Sequence, residues 1–97
     1  MTDSEMWMEC YYGLEVLGDD ALAGKGLCYL LDRYWSIDVI DKDQRDRMRQ
    51  QLRDTFGIYS DEYGYYWPYE YGYYWPAGQS APRIKACLKL AKLTEGK

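Results

Sequence analysis

Residues 63–78 contain a tandem aromatic octad. Tyr63-Gly64-Tyr65-Tyr66-Trp67-Pro68-Tyr69-Glu70 is followed by Tyr71-Gly72-Tyr73-Tyr74-Trp75-Pro76-Ala77-Gly78, with six of eight positions identical. Proline lacks a backbone donor and turns the residue before it away from helical geometry. Pro68 and Pro76 therefore exclude both a helix and a central strand here. An edge strand or an irregular loop remains. Read at period two, Tyr63, Tyr65, Trp67, Tyr69, Tyr71, Tyr73 and Trp75 share one face, with Tyr66 and Tyr74 on the other. Two units of eight fall well short of a solenoid, so the block is a local duplication. The regular scaffold must come from the sequence on either side.

That scaffold reads as mainly α, a single domain over residues 1–97 built as a bundle of about four short helices. The first helix is predicted over about 4–18. Thr2 and Glu5 stand at capping-box spacing with Ser4 as a competing cap, and Gly18 follows the stripe Met6, Cys10, Leu14 and Leu17. Trp7 and Tyr11 flank that stripe. The second helix is predicted over 25–35, where Leu27, Leu30, Leu31, Tyr34 and Trp35 recur as a core face. The third spans 41–56. Asp41 and Gln44 form a cap pair behind Ile40, Met48, Leu52 and Phe56 repeat every four residues, and Gly57 provides the stop. Its remaining faces carry Arg45, Arg47, Arg49 and Arg53, which read as a solvated surface with Asp41–Arg45 and Asp43–Arg47 pairs, or else as a docking face for an acidic partner. The fourth runs over 80–94, with Ser80 as cap, Pro82 in the first turn, and Ile84, Cys87, Leu88 and Ala91 facing inward.

Charge is unevenly spread about a net −4. Residues 1–40 hold eight acids against two bases, whereas residues 79–97 hold five bases against one acid. Direct nucleic-acid binding needs an extended cationic face, which this acidic chain does not offer. No run of about 20 apolar residues suggests a membrane span, and the acidic start Met1-Thr2-Asp3-Ser4-Glu5 lacks the plan of a signal peptide. Cys10, Cys28 and Cys87 are odd in number and form no CxxC pair. They read as buried, inert thiols in a reducing cytoplasm.

Chemistry is argued against by what the chain lacks. It contains no histidine, which removes the commonest general base and the commonest metal ligand. Gly24-Lys25-Gly26 is too short to cradle a phosphate, Asp19-Asp20 lacks the alternating ligands of a calcium loop, and Asp61-Glu62 are adjacent residues poorly suited to paired acid–base work. The expectation is a non-enzymatic protein with no metal and no cofactor.

The octads point instead to binding. Ten aromatic residues fall within 59–76, more than a small helical interior can absorb. Tyr63, Tyr65, Tyr66, Trp67, Tyr69, Tyr71, Tyr73, Tyr74 and Trp75 are therefore the candidate partner-binding residues. The competing reading makes them an aromatic lid on the core. Asp3, Glu5, Glu9, Glu15, Asp19 and Asp20 would steer encounter with a basic protein surface.

Gly26-Leu27-Cys28 opening a helix, Tyr74-Trp75-Pro76-Ala77-Gly78, and Pro82-Arg83-Ile84 leading a short helix resemble small accessory proteins of tailed phages and prophages. The likeness spans about 25–95 in outline; the duplicated octad departs from it. It implies an inhibitor of a host anti-phage defence protein, such as an anti-CRISPR, acting in the bacterial cytoplasm. The alternative is a protein that sequesters a nucleotide by aromatic stacking, with Arg83, Lys85 or Arg45 pairing phosphate. A structural module that self-associates as a homo-oligomer is the third reading.

Overall fold

Thr2 opens the first helix with both halves of a capping box. Its hydroxyl accepts the Glu5 N–H at 3.1 Å, and the Glu5 carboxylate accepts the Thr2 N–H at 3.0 Å. In this computed structural model the described residues are 1–18, 27–57, 59–61, 64–66 and 82–96. They form α1 (Asp3–Leu17), α2 (Leu27–Ser36), α3 (Lys42–Phe56), β1 (Tyr59–Asp61), β2 (Gly64–Tyr66) and α4 (Pro82–Leu93). The protein is thus a mainly α bundle, as its periodicities predict, with a short hairpin of strands after α3. β1 and β2 pair antiparallel, Tyr59 opposite Tyr66 and Asp61 opposite Gly64. The first octad accordingly contributes its Gly64–Tyr66 backbone to a strand, while the rest of the tandem block lies outside the described residues.

Each helix end follows from local chemistry. Gly18 closes α1 at φ +57°, and Gly57 closes α3 at φ +66°. Both need a positive φ, which costs glycine no Cβ clash. The end of α2 does without glycine. Asp38 adopts φ +60°, its N–H bonds to the Trp35 carbonyl at 3.1 Å, and the Val39 N–H reaches the Tyr34 carbonyl at 2.9 Å. Those two bonds are the Schellman pair, with aspartate in the position glycine usually takes. The chain then re-enters helix at once, because the Asp41 carboxylate accepts the Gln44 N–H at 2.7 Å.

The core collects one stripe from each helix. Met6, Trp7, Cys10 and Leu14 of α1 meet Leu27, Cys28, Leu30 and Leu31 of α2, Met48, Leu52 and Phe56 of α3, and Ala86, Cys87, Leu90 and Ala91 of α4. Ile40 plugs the corner between α2 and α3. The largest interface joins α1 to α4, and the Ser4 hydroxyl adds a 2.8 Å bond to the Ala91 carbonyl.

Five predicted core positions are less than fully buried. Leu17 and Trp35 are exposed at helix ends, and Tyr34 is half-buried. On α4 the buried face is rotated. Leu90 and Thr94 point inward while Leu88 is exposed and Ile84 is half-buried. Cys87, Leu90, Ala91 and Thr94 share one face, and the buried Thr94 hydroxyl is satisfied by donating to the Leu90 carbonyl at 2.6 Å. A threonine satisfied in this way can join an apolar stripe.

Candidate functional site

Two surfaces and one buried junction concentrate the chemistry. The junction ties α1 to α3. Asp3 is only 3% exposed, and its carboxylate accepts Arg47 Nε at 2.8 Å, Arg47 Nη2 at 2.7 Å, Gln51 Nε2 at 2.9 Å and Gln44 Nε2 at 3.2 Å. Gln51 is oriented in turn by the buried Trp7 indole, which donates to its Oε1 at 3.0 Å. Arg47 chiefly, then Gln51 and Gln44, hold the Asp3 carboxyl below the usual carboxylate range against the opposing effect of burial. Asp3 was expected to steer a partner. The structure makes it a satisfied internal anion, so it is removed from that set.

The first surface is an open groove of about 330 Å³ between α1 and α2. Tyr12, Val16 and Leu17 line it from α1, and Leu30, Arg33 and Tyr34 from α2, with Gly13 and Glu9. Gly13 lets the helices approach: a Cβ there would stand 2.9 Å from the Tyr34 hydroxyl and 3.3 Å from Leu30 Cδ1. That hydroxyl donates to the Glu9 carbonyl at 3.3 Å. Val16 is 86% exposed, and Tyr12 is exposed beside it, so the groove has an uncovered apolar wall. Glu9 and Glu15 are exposed nearby on α1, and Glu15 hydrogen-bonds Tyr11, raising its pKa.

The second surface lies on α3, where the sequence suggests solvated ion pairs. Arg45 and Arg49 are instead largely buried, at 11% and 18% side-chain exposure. Arg45 donates to Asp32 at 2.9 Å and lies 4.1 Å from the centre of the Trp35 ring. Asp32 is also 3.6 Å from Arg49. The i,i+4 pairs expected from Asp41 and Asp43 give way to tertiary ones, since Arg45 turns to α2 and Arg47 to α1. Lys42 takes Asp46 at 2.8 Å.

The remaining sequence candidates divide as follows. Glu5 is spent on the cap of α1. Asp19 and Asp20 lie outside the described residues, as do Tyr63, Trp67, Tyr69, Tyr71, Tyr73, Tyr74 and Trp75. Tyr65 and Tyr66 are placed in β2 by their backbone. Cys10, Cys28 and Cys87 are free and buried, as predicted. Burial raises Cys10 and Cys28 to about 12 and pushes Cys87 up as well, so none carries thiolate near neutral pH. Among the described residues no cluster of three metal-ligating side chains occurs, and no helix is long and apolar enough to cross a membrane.

Periodicity places Leu17 on the core stripe of α1 and gives Val16 no role, yet both are exposed in the fold, and no local sequence signal marks the groove between α1 and α2. No family model, curated protein or solved structure matches the chain. The likeness to phage accessory proteins therefore rests on the quoted residues alone.

Proposed function

We propose that this protein is a non-catalytic binder that captures another protein through aromatic and aliphatic side chains. One observation carries the reading: the groove between α1 and α2 leaves Tyr12, Val16 and Leu17 exposed as neighbouring apolar surface. A stable helical domain gains nothing from keeping such a wall in water, and grooves of this composition serve as seats for a partner's side chains. The acidic residues Glu9 and Glu15 beside it suit a partner with a basic rim. The tandem octads supply a second aromatic surface for the same task. The partner, following the resemblance to phage proteins, is a host defence protein of the bacterial cytoplasm, and binding inhibits it.

The test compares capture of a bacterial host's proteins by the natural chain and by two variants. Val16→Asp with Tyr12→Ala removes the groove wall, and Tyr65, Tyr66, Tyr73 and Tyr74 changed together to Ala strip the octads. A partner held by the natural chain and lost by the groove variant, with helical circular dichroism unchanged, is the expected result. Equal capture by all three proteins would remove both surfaces from the function.

A further inference from the structure

Helix α1 carries acids and no base, and α4 carries bases and no acid. On the outer side of α1, Glu5, Glu9, Tyr12 and Val16 follow at i, i+4, i+7 and i+11, with Glu15 alongside, and all are exposed. On the outer side of α4, Lys85, Leu88 and Lys92 follow at i, i+3 and i+7, with Lys89 and Leu93 alongside, again exposed. Each face sets apolar side chains among charges of one sign. The two helices share the largest interface of the fold and are joined by the Ser4–Ala91 bond, so the faces are neighbours on one molecule.

These charges do not neutralise one another within the chain. Among the described residues no ion pair includes Glu5, Glu9, Glu15, Lys85, Lys89 or Lys92. Lys89 instead overlies the Phe56 ring at 5.2 Å. The apolar members are equally uncovered, with Val16 at 86% exposure and Tyr12 and Leu93 at 55% each. Each face has one charge of the other sign at its border, Arg33 across the groove from α1 and Glu95 just past α4.

We propose that two copies of this chain form a two-fold dimer in which the acidic face of each α1 lies on the basic face of the other copy's α4. A two-fold axis makes both contacts at once, since any pair met in one direction is met again in the other. The other symmetric pairings set α1 on α1 or α4 on α4, and like charges then oppose one another. Closing acid on base surrounds Tyr12, Val16, Leu88 and Leu93 with glutamate–lysine pairs and removes their apolar surface from water. Few side chains take part, so association is weak and depends on concentration. Tyr12 and Val16 also line the α1–α2 groove, so a second copy and a foreign partner compete for them. Self-association is read on the purified chain alone. Its failure leaves the capture reading standing, and failure of capture leaves the dimer.

Sedimentation velocity and light scattering of the purified chain, from a few micromolar to several hundred micromolar, test it. The average mass should rise with concentration toward two chains and no further. Raising salt from about 50 to 500 mM should weaken association several-fold. Glu9→Lys with Glu15→Lys, or Lys85→Glu with Lys89→Glu, should each weaken it roughly tenfold or more. The first variant then carries bases on both faces and the second acids on both, so an equimolar mixture of the two should recover the dimer. Should a reversal fail to fold, glutamine at the same positions should still weaken association several-fold. A monomer at every concentration would overturn the dimer and leave both faces to a foreign partner. So would a dimer indifferent to the folded variants, a mixture that stays monomeric, or assemblies that grow past two chains.

Discussion

Helix α3 makes two ionic junctions that are mirror images. Toward α1 the acid is buried and the base is wet: Asp3 is 3% exposed and its partner Arg47 is 54% exposed. Toward α2 the bases are buried and the acid is wet, with Arg45 and Arg49 sharing the half-exposed Asp32. At the first junction every carboxylate oxygen is met by two donors, so the site is closed and its work is structural. At the second, forks of donors share a carboxylate that water also claims. The contrast teaches where a helix of this kind buries its ionic contact completely and where it shares it with solvent.

The most damaging change to that contrast is Asp3→Ala. It strands Gln44, Gln51 and Arg47 at once, and urea denaturation should show a loss of about 3 kcal/mol, allowing for the hydration that exposed Arg47 recovers. Acid offers a gentler route to the same junction. Asp3 is held below its ordinary pKa in the fold, so its contribution is complete above the unfolded value of about 3.9 and disappears as pH falls through the folded one. Melting temperature should fall from about pH 4 downward, and Asp3→Asn should flatten that slope.

A smaller effect tests the corner between the two junctions. Asp38 pays for a left-handed conformation, so Asp38→Gly should stabilise the protein by about 0.5–1 kcal/mol. It should leave the acid slope unchanged. Least of all, Asp32→Asn should move stability by under about 1 kcal/mol, since a half-exposed pair contributes little. A loss in Asp32→Asn as large as that in Asp3→Ala would show that the comparison between the junctions has been drawn the wrong way round.

Much of the fold was legible in the sequence because its signals are local. The Thr2–Glu5 box, the Asp41 cap, the Gly57 stop and the stripe of Met48, Leu52 and Phe56 each depend on residues within a turn or two. Tertiary choices were not legible. Nothing near Arg45 in sequence announces that it will prefer Asp32 to Asp41, and Asp3 reads as a solvent-facing acid until Arg47 and Gln51 arrive from 44 and 48 residues away. The face of α4 that buries Leu90 and exposes Leu88 is set by its packing against α1, which no residue within a turn specifies. Of the candidate site, the tandem tyrosines are visible in sequence by repetition alone, whereas the groove exists only once α1 and α2 are packed together.

The three thiols have a practical consequence. Cys10 sits on α1, Cys28 on α2 and Cys87 on α4, each shut away from reagent. Alkylation must wait until the helix concerned swings out, so the labelling rate at each cysteine clocks the opening of its own segment. Mass spectrometry of partly alkylated protein would then rank the segments by how readily they part.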